Sequence, residues 1–128
     1  MNSFIFIKKN AVSKQKCENI INVLNTLKLN PGNSEMIKNF YKGMSVDVYK
    51  SEWRHDLFNC ISEYKNQHKF LDSINHCQWK VQANCNYQKY KPGQHYSLEH
   101  TEQGGKTYDS RRMLVWSIYC NTVNKGGE

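Results

Sequence analysis

The sequence predicts an α+β fold, helical in its first half and strand-rich in its second, on three observations. Apolar residues recur at three-and-four spacing in two tracts of the first half; from Trp79 onward the period drops to two; and Pro and Gly punctuate the joins. A chain of 128 residues fits one domain, which at this size buries roughly two-thirds of the surface that the unfolded chain exposes.

Each element follows from its residues. "FIFI" at 4–7 is aromatic and β-branched and predicts a short strand. Cys17, Ile20, Ile21, Leu24 and Leu27 then line one helical face, with Ser13 as N-cap and Asn30, Pro31 and Gly32 as the stop. Residues 33–44 read as a loop and "SVDVY" at 45–49 as a strand. Leu57, Cys60, Ile61, Tyr64 and His68 predict a second helix over roughly 53–70, with His68 at its boundary. Trp79, Val81, Ala83, Cys85 and Tyr87 alternate with polar residues, as in a half-buried strand. Pro92 and Gly93 turn the chain, a polar loop follows, and "RRMLVWSIYCN" at 111–121 predicts a well-buried strand.

Composition narrows the class. Apolar residues at 38% and aromatics at 12% are too many for a disordered chain, although the mean hydropathy is −0.81. Eighteen Lys and Arg against 11 Asp and Glu leave +7, a field that attracts anions and weakens with salt, but the basic residues are scattered and read as a solvated surface. Five cysteines at 17, 60, 77, 85 and 120, odd in number and without a Cys-x-x-Cys pair, argue against a disulfide framework and against a tetrahedral zinc site, and point to a reducing compartment. Neither a signal-peptide core nor a run of about 20 apolar residues occurs. The expectation is a soluble, cytoplasmic protein without a membrane partner.

The chemistry concentrates in "KPGQHYSLEHTEQGG" at 91–105. In an extended chain His100 and Glu102 share one face, about 6–7 Å apart, and an imidazole with a carboxylate supplies two ligands of the two-histidine, one-carboxylate arrangement used by non-haem Fe(II). His95 and Glu99 read as exposed. The wider pattern is more specific. Tyr90, Pro92, Gly93, Tyr96, His100, Glu102, Arg112, Tyr119, Asn121, Gly126, Gly127 and Glu128 occur in the order found in the 2-oxoglutarate and Fe(II)-dependent oxygenases of the prolyl 4-hydroxylase type. Residues 79–128 resemble the catalytic core of that family.

The resemblance implies a double-stranded β-helix, or jelly roll, with residues 1–76 as N-terminal strand and supporting helices and 77–128 as the first half of the core. It implies His100 and Glu102 as iron ligands, Tyr90 as a hydrogen-bonding contact to 2-oxoglutarate, and Asn121 in the same pocket. Tyr90 and Tyr119 also read as plain core or rim aromatics, and Arg112 as holding a loop or a carboxylate. The implied activity is hydroxylation of a C–H bond with decarboxylation of 2-oxoglutarate to succinate, with ascorbate as an ancillary reductant. The substrate, whether a prolyl peptide, another side chain, a nucleobase or a small molecule, is not legible.

Two departures qualify the resemblance. The family's usual acid is Asp, and Glu102 is one methylene longer. No histidine follows His100, and the family's late basic residue for the cosubstrate's far carboxylate has no counterpart before Glu128. The expectation is therefore an incomplete oxygenase domain, its C-terminal strands missing, that binds metal weakly, turns over little alone, and either self-associates or is complemented by a C-terminal chain. The alternative is a non-enzymatic basic module whose Tyr87, Tyr90, Tyr96 and Tyr108 stack on single-stranded nucleic acid or another anionic partner.

Overall fold

A computed structural model describes residues 4–26, 30–31, 41–74, 79–94 and 112–125 of the chain. The fold is α+β: the described residues form three α-helices and a small antiparallel sheet. Helix α1, Lys14–Thr26, starts as its sequence dictates, because the Ser13 hydroxyl accepts from the Lys16 amide at 3.4 Å and occupies one otherwise unpaired donor of the first turn. The apolar spacing then buries Ile20 and Leu24 on one side.

The sheet has the order β1-β2-β3, with β1 at Asn30–Pro31, β2 at Tyr41–Asp47 and β3 at Asn84–Lys89. Strand β2 starts four residues before the predicted strand, inside the stretch read as a loop, and stops short at Asp47. Its register against β3 pairs Lys42 with Gln88 and Ser45 with Asn86, so β2 advances three residues while β3 advances two. One extra residue is therefore accommodated as a bulge. The Asp47 carboxylate accepts from the Tyr49 amide at 3.0 Å and starts a single 3₁₀ turn, Val48–Lys50, in which Val48 is wholly buried and donates its amide to the Ala83 carbonyl at 2.7 Å.

Helix α2, Arg54–Gln67, ends at His68, and a short helix α3, Phe70–Ile74, follows. The single helix expected over 53–70 is thus two. His68 is not a boundary side chain: only 5% of it is exposed, and it packs between the rings of Phe4, Tyr64 and Phe70. Ion pairs and polar contacts join the helices. Lys16 meets Asp56 at 2.7 Å, Asn19 donates to Glu52 at 3.0 Å, and Lys65 pairs with Asp72 at 3.0 Å.

Residues 4–7 form no strand. They lie as a strap along α2, where the Tyr64 hydroxyl donates to the Phe4 carbonyl at 3.1 Å, Phe6 meets the Tyr64 ring edge-on, and Lys8 pairs with Glu63 at 2.9 Å. The aromatic content that suggested a strand is satisfied by ring contacts to a helix instead of a ladder. Residues 79–83 also stay outside β3, since the Trp79 indole turns back to donate to Asp72 and lies under Lys65.

The core is Ile20, Leu24, Val48, Trp53 and Leu57, flanked by Val12, Ile61, Val81, Cys85, Tyr87, Trp116, Ile118 and Cys120. The run at 112–120 is not the well-buried strand its composition predicts. It has no ladder; its alternate residues Trp116, Ile118 and Cys120 are half-buried against the core, while Met113, Leu114, Val115 and Tyr119 face outward. The period-two pattern decides which side chains reach the core, and backbone pairing does not follow from it.

Candidate functional site

Strand β3 leads straight into the stretch singled out by its chemistry. Cys85, Tyr87 and Lys89 are half-buried on one side of β3, and Gln88 is exposed on the other. Tyr90, the next exposed position, donates its hydroxyl to Gln88 Oε1 at 3.0 Å and is 42% exposed. That hydrogen bond is short-range and at the surface, so exchanging it for another acceptor costs little.

Lys91–Gln94 then closes a β-turn: the Gln94 amide donates to the Lys91 carbonyl at 2.9 Å, and the Lys91 amide donates to Gln94 Oε1 at 2.7 Å. Pro92 supplies the fixed φ of the second position. Gly93 has φ +81°, the left-handed conformation that a type II turn requires at its third position. This turn sets where the chain heads after Tyr90. His95, Tyr96, Glu99, His100 and Glu102 lie outside the described residues, as do Gly126, Gly127 and Glu128.

The far side of the expected site is partly described. Arg112 donates Nε–H to Gln82 Oε1 at 3.0 Å, which links the start of the 112–120 run to the segment before β3. Tyr119 is exposed and is not a core aromatic. Asn121 is exposed, with its amide donating at 3.5 Å to the Thr122 carbonyl. Tyr87, one of the aromatics of the nucleic-acid alternative, is committed elsewhere: its ring packs on the core and its hydroxyl accepts from Trp53 Nε1 at 2.8 Å.

No family model, curated protein or solved structure matches the chain significantly. The geometry must therefore carry the functional reading with the sequence.

An imidazole nitrogen and a carboxylate oxygen suit Fe(II), so His100 and Glu102 fit as a pair by ligand type. Among the described residues no group of three or more His, Cys, Asp or Glu could hold an ion. Among the described residues, several half-buried thiols and a phenol have raised pKa values. Burial pushes the Cys85 thiol up, and burial, partly offset by the Trp53 hydrogen bond, pushes the Tyr87 hydroxyl up. Burial first, and then the neighbouring Cys17, push the Cys120 thiol up to about 11. Sequence reading missed this cluster, because thiols far apart in the chain carry no spacing signal. No described helix is long and apolar enough to cross a membrane.

Proposed function

We propose that the chain forms the iron-binding end of a 2-oxoglutarate-dependent dioxygenase of jelly-roll type. The observation that carries the reading is the ordered set from Tyr90 through His100-x-Glu102 to Asn121, which is far more specific than any one of its members. Two features support it. The type II turn at Pro92–Gly93 redirects the chain directly after Tyr90, and Tyr90 is surface-accessible, with its hydroxyl donating to Gln88.

In this reading the His100 imidazole and the Glu102 carboxylate hold Fe(II), the Tyr90 hydroxyl donates to a carboxylate of 2-oxoglutarate, and the Asn121 amide lines the same pocket. The bound metal and cosubstrate supply the chemistry that hydroxylates an unactivated C–H bond and releases succinate. The protein's part is to orient both and to exclude water.

The test is a titration of Mn(II), a redox-silent surrogate, into the wild type, His100→Ala and Glu102→Ala, following free Mn(II) by its paramagnetic signal. Two protein ligands give weak binding, and removing either lowers affinity by at least about tenfold, since even the loss of an outer-sphere partner costs that much. Added 2-oxoglutarate tightens retention in the wild type. Equal Mn(II) binding by all three proteins removes the assignment.

A further inference from the structure

We propose that the strap at residues 4–8 is exchanged between two copies of this chain, so that the face of α2 and α3 which it covers is an interaction surface whose partner is the strap of a second copy. The complementarity is built within one chain. Phe4 stacks on His68 with ring centroids 5.6 Å apart and meets Phe70 edge-on at 6.0 Å, Phe6 meets Tyr64 at 6.1 Å, the Tyr64 hydroxyl donates to the Phe4 carbonyl at 3.1 Å, and Lys8 Nζ pairs with Glu63 at 2.9 Å. The receiving groups all lie between residues 63 and 70, at the end of α2 and the start of α3, so a strap from a second copy reproduces each contact.

The hinge favours exchange over closure. Lys8 is fixed on α2 through Glu63 and Val12 packs against the core, so the turn between them falls on Lys9, Asn10 and Ala11. Among the described residues Asn10 is the one non-glycine residue with a positive φ, +57°. This is the left-handed region, which Asn enters more readily than most residues but at a cost that glycine does not incur. A short hinge that holds such a residue is biased toward its open form, in which Asn10 takes an extended conformation and the cost is released.

Exchange preserves the contacts to residues 63–70, so they do not choose between the two forms. The balance is set by the hinge, by association entropy, which opposes the dimer, and by the surface newly covered where the copies meet. Ile5 and Ile7 are 75% and 79% exposed on the strap and supply apolar area next to the hinge for that purpose. Residues 5–8 pair in no ladder, so the strap leaves and docks again without unfolding a helix.

The Lys8–Glu63 pair makes exchange readable. A carbodiimide condenses the Lys8 amine with the Glu63 carboxylate, with loss of water and no spacer, and trypsin then releases residues 1–9 joined to residues 55–65. Equal amounts of nitrogen-15-labelled and unlabelled full chain are mixed, left to equilibrate, separated by size, cross-linked and digested, and the joined peptides are weighed. The expected dimer fraction carries mixed pairs, a labelled strap on an unlabelled helix and the reverse, as often as unmixed ones, while the monomer fraction carries unmixed pairs alone. The hinge variants move the dimer in opposite directions. Asn10→Gly accepts the closed turn without strain and lowers the association constant severalfold, whereas Asn10→Pro, its φ fixed near −65°, cannot close and raises the constant about tenfold or more. Unmixed pairs alone in the wild-type dimer fraction, as association through the 112–120 run would give, overturn the proposal. So does a monomer that persists at every concentration in both the wild type and Asn10→Pro. The wild-type isotope map stands even where a variant fails to fold.

Discussion

Single residues decide how the interior is held. Trp53 is 1% exposed and its one polar atom finds an acceptor in the Tyr87 hydroxyl at 2.8 Å, while its ring tilts against Trp116 with centroids 5.6 Å apart. An indole N–H left without an acceptor in such a place keeps its desolvation cost and gains nothing in return. Tyr87→Phe is accordingly predicted to destabilise the fold by about 1–3 kcal/mol, read as a shift in the urea midpoint at unchanged slope. Trp53→Phe combined with Tyr87→Phe should cost less than the two single changes summed, because the double variant leaves no orphaned donor. Strict additivity of the two changes would show that the hydrogen bond contributes nothing.

At the scale of elements, the Pro92–Gly93 turn makes the sharpest case. A methyl group added at Gly93 meets nothing within 4 Å, yet φ is +81°, so the cost of Gly93→Ala is backbone strain alone, about 1–2 kcal/mol. Gly93→Asn should cost less, since Asn tolerates the left-handed region. Equal stability of Gly93, Ala and Asn forms in thermal melts would mean that the turn is not built as described. This turn was legible because Pro and Gly state their dihedral requirements locally. So was α1, whose Ser13 cap and three-and-four spacing both act within a few residues. The break at His68 was not, because the apolar spacing of α2 runs through it unchanged. Nor were the pairing partners of 4–7 and 112–120: β-branched and aromatic content reports that a side chain suits a pleated, half-buried place, and which backbone lies alongside is settled by distant residues. The site was read the same way. Tyr90 and its turn were local facts, whereas the Trp53–Tyr87 hydrogen bond joins residues far apart in the chain and has no sequence signature.

Over the whole molecule, two surfaces contrast. The excess of +7 is spread over the chain, and the exposed Met113, Leu114, Val115 and Tyr119 gather apolar area on one run, with Val115 at 65% exposure. Apolar area grouped in this way favours self-association, and charge opposes it only at low salt. Sedimentation velocity across a concentration series is predicted to show a second copy associating, more strongly as salt is raised, and Val115→Lys is predicted to weaken it. A concentration-independent monomer at high salt would remove this surface as an association site. The strap at residues 4–8 has a different kind of consequence. Its attachments to α2 and α3 include the Tyr64–Phe4 hydrogen bond, the Lys8–Glu63 surface ion pair and ring contacts to Tyr64, His68 and Phe70, with no ladder to share a load. Tension applied at Phe4 therefore acts on these attachments one after another, as in unzipping, and the strap peels away in a small low-force step before any helix yields.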